Sequence, residues 1–316
     1  MKTAKNAVRK NAVFGILIIL FLTFAFLKPS FLKVDNLLNL LVQSTILGIV
    51  GFGLAIIMMA GEIDLSYAGA IPLEGAIFAN LLQKDMGVWP SLGVSFLAGI
   101  TISLVISQLV TRLKLVSYVT TTSMYFLLQG IWYAYTGGEN VYFKEKFNRD
   151  LIFGSLAGIP KIVIFFLLLF VILYFLTEHT SFGIRLRAVG EDPEAAKTMG
   201  VNSITYKTAG FILGGFIFAI GAFFSTAKMS GALATSGANM LMPVMTVAFV
   251  GQTFLGMGRP NIPGVFLAAL MMAMIDNAFV LMNSPFWAVP IANGIILILA
   301  IFLANVGKRD IIQIKL

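Results

Sequence analysis

Apolar residues occupy this chain in long runs, and polar residues are confined to the short intervals between them. Coiled as a helix, a run of about twenty such residues matches the thickness of a bilayer's hydrocarbon core. Ten runs are legible, at 12–27, 38–60, 66–83, 91–111, 116–135, 160–177, 207–226, 241–256, 262–282 and 286–305. The pattern predicts an all-α, polytopic helical membrane protein with about ten transmembrane helices. A transmembrane barrel would instead show strands of about ten residues alternating apolar and polar positions. No such alternation is present.

Composition agrees. The 316 residues are 59% hydrophobic and only 11% charged, with a mean hydropathy of +0.93, whereas soluble domains are about a quarter charged. The net charge of +8 would suit nucleic acid, but an excess of Lys and Arg on cytoplasmic loops explains it better. With both termini inside, fourteen of the 22 basic residues fall on inside segments and eight outside. An N-in, C-in topology follows. Lys2, Lys5, Arg9 and Lys10 precede the first run as in a signal peptide, but Lys28-Pro29-Ser30 follows it in place of a small-x-small cleavage site. We therefore expect an uncleaved first span in a single transmembrane domain, 1–316. Its main inside connection is 178–206 and its one sizeable outside loop is 136–159.

Several chemistries are excluded. There is no Cys, and the lone His179 has no partner, so no metal site is expected. A phosphate-cradling GxxxxGK[ST], a nucleophile elbow and HExxH are all absent, so no catalytic residues are assigned and any ATP would be bound by another chain.

Three polar features remain. Within 181–207 lies a compact segment, Glu191 to Gly200. Asp192 suits a helix cap, Pro193 the first helical position and Gly200 a left-handed stop. It reads either as a solvated loop or as a docking element. Second, Gly61-Glu62-Ile63-Asp64-Leu65-Ser66 joins two apolar runs. Asp64 and Ser66 could cap the following helix, or the carboxylates could meet a substrate or coupling ion. Third, Glu74 stands eight residues into its span, roughly 12 Å along the helix. Glu74, Gln129 and Asn277 are candidates to line a path for a polar solute. The competing interpretation of such residues is interhelical hydrogen bonding.

Together these segments resemble the permease subunits of bacterial ABC importers for simple sugars, of the ribose, xylose and autoinducer-2 type. GEIDLSYAG at 61–69 is similar to the family's G-G-I-D-L-S-V-G turn, with Gly61, Asp64 and Ser66 in register. VGEDPEAAKTMGV at 189–201 follows a pattern close to G-x-N-x-x-A-A-x-x-S-G-I, and GQTFLGMGRPNIPG at 251–264 comes third. The resemblance spans nearly the whole chain. It implies that Glu191, Asp192, Pro193, Glu194, Ala195, Ala196 and Gly200 form a coupling element for a cytoplasmic ABC ATPase carrying ATP and Mg²⁺. It also implies an extracytoplasmic sugar-binding protein and a second permease, identical or sister, within membrane lipid and without nucleic acid. Glu62 replaces a usual Gly, Tyr67 a small aliphatic residue, and Glu74 adds a charge. The alternative is an ion-coupled secondary transporter of a small polar solute, with Glu74 and Asp276 as coupling carboxylates.

Overall fold

The structure, a computed structural model, describes residues 15, 17–143, 147, 150–254 and 258–312. The basic N-terminal segment, the first residues of the first predicted span and the extreme C-terminus lie outside the described residues. Among the described residues each predicted run overlaps one helix, most to within a few residues; the last helix runs seven residues beyond its run, and the helix Ser236–Thr253 begins five residues before its run. These helices are α1 (Leu17–Leu27), α2 (Val34–Met59), α3 (Tyr67–Gln83), α4 (Val88–Thr111) and α5 (Ser117–Thr136). After a one-turn α6 (Asp150–Phe153) comes α7 (Lys161–Glu178), and later α10 (Ser203–Met229), α11 (Ser236–Thr253), α12 (Ile262–Leu281) and α13 (Ala288–Ile312). Between α7 and α10 the chain forms α8 (Ser181–Glu191) and α9 (Pro193–Thr198). Helices α2, α4, α7, α10 and α12 are each long and apolar enough to cross a membrane.

The packing centre is the crossing of α2 with α10, both largely buried. Without hydrophobic drive between helices in lipid, small residues let the backbones approach and make van der Waals contact. Gly53 and Gly214 do this reciprocally. A Cβ on Gly53 would lie 2.9 Å from the Gly214 carbonyl oxygen, and one on Gly214 would lie 3.0 Å from that of Gly53. Helix α4 packs on the next face of α10, where Gly215 meets Ser103 and Gly99 faces Ala219. Helix α3 meets α11 at a proline. Pro72 has no N–H to give the Ala68 carbonyl four residues back. Gly237 fills that space so tightly that a Cβ there would lie 1.8 Å from the Ala68 oxygen.

Connections gather at two ends of the bundle. At one end, the α2–α3 turn meets the start of α5, where the Ile63 N–H donates to Ser117 Oγ at 3.4 Å. This end also holds α8, α9 and Arg259 beside Glu191. At the other end, β1 (Val141–Tyr142) in the 136–159 loop pairs antiparallel with β4 (Gly231–Ala232) beyond α10. The same loop carries a small hairpin, β2 (Ser155–Leu156) with β3 (Ile159–Pro160), closed by two positive-φ residues, Ala157 and Gly158.

Candidate coupling end and buried polar sites

The segment expected to dock a partner is a doubly capped helix. Asp192 Oδ1 accepts from the Glu194 N–H at 3.1 Å and the Ala195 N–H at 2.9 Å, with Pro193 opening the helix. At the far end, the Gly200 N–H donates to Lys197 O at 2.9 Å and the Val201 N–H to Ala196 O at 2.9 Å, with Gly200 at φ +80°. That pair of bonds is a Schellman stop, and only glycine adopts its φ without strain. Of the seven residues assigned to coupling, Glu191, Asp192, Pro193, Glu194, Ala195 and Gly200 are exposed. Ala196 is not. It is 3% exposed and faces the body of the protein, so it anchors α9 rather than presenting a contact. Met199, beside the stop, is 83% exposed, an apolar knob that the sequence reading passed over.

Helix α8 was also missed, because its exposed face carries Arg185 and reads as loop. Its inward positions Gly183, Leu186 and Val189 are spaced by three and are buried. Several contacts lock α8 and α9 to the bundle. Arg187 makes a bidentate pair with Glu178 at the end of α7. Arg259 Nε reaches Glu191 Oε1 at 3.1 Å, with both side chains more than half exposed. Ser203 Oγ donates to the Pro193 carbonyl at 3.1 Å. The closest is backbone to backbone: Gly190 lies against Gly61, and a Cβ on Gly190 would sit 2.1 Å from Met59 O.

That contact brings the 61–66 turn and the coupling segment together. Glu62 is drawn in as well, forming an ion pair with Lys207 at the start of α10. Asp64 is fully buried. Its Oδ1 accepts from the Ser66 N–H at 2.7 Å, and its Oδ2 has no hydrogen-bond partner among the described residues. Burial pushes its carboxyl up to about 6, against the opposing pull of the Ser66 hydrogen bonds. Of the two residues expected to cap α3 and form its turn, Asp64 alone bonds backbone through its side chain. Ser66 occupies the cap position but makes no side-chain cap bond, and Asp64 closes a local turn instead. Tyr67 follows, buried, and its hydroxyl donates to Leu241 O at 2.7 Å, tying α3 to α11.

The three candidates for a solute path lie on three different helices, α3, α5 and α12. Glu74 is 1% exposed. Its Oε1 rests on α4, 2.7 Å from where a Cβ on Gly99 would be, and its Oε2 has no hydrogen-bond partner among the described residues. Gln129 lies on α5 and is partly exposed. Asn277 spends its amide on Asn36, each donating to the other at 2.8–3.0 Å, so its present geometry is that of an α12–α2 fastener. Asp276, on α12, has an Oδ1 with no hydrogen-bond partner among the described residues and no hydrogen bond to Glu74.

Comparison with known proteins adds to this geometry. The profile of the family described as branched-chain amino acid transport system / permease component matches residues 36–305. The ribose import permease protein RbsC of Haemophilus influenzae is 26% identical over 92% of this chain and 91% of its own length. RbsC of Bacillus subtilis is 28% identical, with 91% and 90% covered. The L-arabinose ABC transporter permease protein AraH of Azospirillum brasilense is 27% identical, with 93% and 87% covered. No solved structure matches.

Proposed function

The chain belongs to the family of branched-chain amino acid transport system permease components, and from that premise we propose that it is the membrane subunit of an ATP-driven importer of a simple sugar. It is a multi-pass permease of the bacterial cytoplasmic membrane, not itself a catalyst. The substrate class follows from relatives named as a ribose import permease and an L-arabinose ABC transporter permease. In this proposal the whole chain is one transmembrane domain of ten crossings with both termini inside. Its partners are a cytoplasmic ATPase that binds ATP and Mg²⁺, an extracytoplasmic sugar-binding protein and a second permease.

One observation carries the reading: an exposed, doubly capped helix, α9, is fixed to the bundle by short connections. A helix closed at both ends transmits displacement instead of absorbing it. Through Gly190 on Gly61 a push on α9 reaches the α2–α3 turn, and through Glu62–Lys207 that turn is tied to α10. Those elements form the central crossing of the bundle, so movement at α9 alters how α2, α3 and α10 pack. The same α3 bears Glu74, which we keep with Gln129 and Asn277 as path candidates. Their engagement would require the helices to separate from the closed packing described above.

The test is uptake by proteoliposomes holding this chain, its ATPase and its binding protein. Labelled ribose or arabinose should accumulate with internal ATP and be unaffected by an uncoupler. Uptake that ignored ATP and collapsed with the uncoupler would establish the ion-coupled alternative instead.

A further inference from the structure

Between α4, α7, α8 and α10 runs a groove of about 460 Å³ whose walls are entirely apolar: Ile100, Leu176, Phe182, Ala209, Leu213 and Phe216 are among its lining residues. Its floor is one stripe of α10. Ala209, Leu213 and Phe216 fall on one face by helical spacing, and Tyr206 begins the same stripe one turn earlier. From Ala209 to Phe216 the stripe extends roughly 10 Å along the helix axis.

The two ends of the groove differ. At the inner end, Phe216 and Phe96 meet edge to face at 5.6 Å. At the end that carries α8, the rings of Phe182 and Tyr206 stand 6.1 Å apart, and Arg185 Nη1 donates to the Tyr206 hydroxyl at 3.0 Å. An exposed guanidinium is thereby held over the mouth. It has no carboxylate partner among the described residues, unlike Arg187, which is tied to Glu178. The end of α4 brings a second exposed cation, Arg112, to the same end of the bundle, where Thr111 meets Thr208 at 3.4 Å.

An apolar slot within the membrane, ending at an unneutralised arginine on the boundary, has the polarity of a phospholipid. A hydrocarbon chain fits the stripe, and a phosphate at the mouth can accept from Arg185, whose planar fork suits bidentate binding of phosphate oxygens. We propose that this groove is a phospholipid site that selects an anionic headgroup. The site would tether the α8–α10 corner to the bilayer surface beside α9.

The experiment places the full chain in vesicles with equal amounts of phosphatidylglycerol and phosphatidylcholine. Tightly retained lipid is then counted by native mass spectrometry after detergent release. The wild type should retain phosphatidylglycerol over phosphatidylcholine by about five-fold, the discrimination one basic side chain confers at an anionic surface. Arg185→Gln should bring the ratio near unity, whereas Lys197→Gln on exposed α9 should leave it unchanged. Photoactivatable phosphatidylglycerol should label peptides containing Phe182 and Leu213, a measurement that needs no variant to fold. An unchanged preference in Arg185→Gln overturns the proposal. Equal labelling by both lipids overturns it too, because the groove would then be ordinary annular surface. Absence of labelling by either lipid would mean that protein covers the groove, and the proposal would again fail.

Discussion

Gly190 and Gly61, 129 positions apart in sequence, meet so closely that neither tolerates a side chain. A Cβ on Gly190 would lie 2.7 Å from the Gly61 nitrogen, and one on Gly61 would lie 2.8 Å from the Gly190 oxygen. Gly61 also holds φ +81°. Gly190→Ala should force α8 off the α2–α3 turn, lowering stability by about 1–3 kcal/mol, the usual range for overpacking a tight site. ATP-driven uptake should fall further than folded yield does, because the displaced contact is the proposed path from α9 to α2. Reversible unfolding in mild detergent and proteoliposome uptake measure the two effects. Wild-type values for both in Gly190→Ala would show that the approach is looser than described.

Glu62 and Lys207 are 13% and 20% exposed, so neither charge is freely hydrated. Removing one leaves the other with a poor solvent. Glu62→Gln and Lys207→Met should each cost about 1–3 kcal/mol. The double variant should cost less than the sum of the singles, as expected of residues in direct contact. Strict additivity in that cycle would mean that the two do not interact.

How much of this could be read from sequence follows from how local each feature is. Asp192, Pro193 and Gly200 lie within nine residues and act on their own backbone, so the short helix is legible from their order alone. The apolar runs are legible for the same reason, since each must satisfy its own backbone in lipid. Helix α8 was hidden because only three buried positions, Gly183, Leu186 and Val189, mark its inward face. Gly61 against Gly190 and Glu62 against Lys207 are invisible to any local rule, because each joins segments more than a hundred residues apart. Asn277 is ambiguous in sequence for a related reason. A polar side chain in a span signals a partner, but only the fold reveals that the partner is Asn36.

Asp64 makes stability depend on pH in an uncommon direction. Its carboxyl titrates near 6 in the folded protein against an ordinary value of 3.8. Between those values the folded state binds more protons than the unfolded state, so this group's contribution to stability falls as pH rises. Its penalty is complete above pH 6 and absent below 4. Asp64→Asn keeps an acceptor for the Ser66 N–H and removes the charge. The variant should be more stable than wild type at pH 7 by up to about 3 kcal/mol, with the gap closing toward pH 4. Melting temperatures across that range, wild type beside variant, provide the check. A gap independent of pH would place the titration elsewhere.

The exposed tip of α9 separates folding from docking. Asp192→Ala removes the acceptor of two N–H groups and should weaken the helix by about 1 kcal/mol. Met199 is 83% exposed and can be changed without loss of packing. Met199→Ser should leave the melting temperature unchanged yet reduce co-purification of the co-expressed ATPase by several-fold, as expected if an apolar side chain is buried on docking. Full recovery of the ATPase with both variants would remove α9 from the interface.

Glu74 provides the sharpest test of the bundle's interior. Its carboxylate rests on Gly99, and a Cβ there would be 2.7 Å from Oε1 and 3.1 Å from the Ala219 Cβ. Gly99→Ala should therefore cost about 1–3 kcal/mol, since both neighbours must shift. Glu74→Ala should be destabilising for a different reason, the cavity it leaves between α3 and α4. In the double variant each change relieves the other, because the new methyl group enters the space vacated by the carboxylate. Its stability should exceed the additive expectation by about 1–2 kcal/mol, within the range measured for contacting residues. Glu74→Gln preserves shape and should not rescue Gly99→Ala. Rescue by Gln as strong as by Ala would show that charge, rather than the volume against α4, sets the cost at this site.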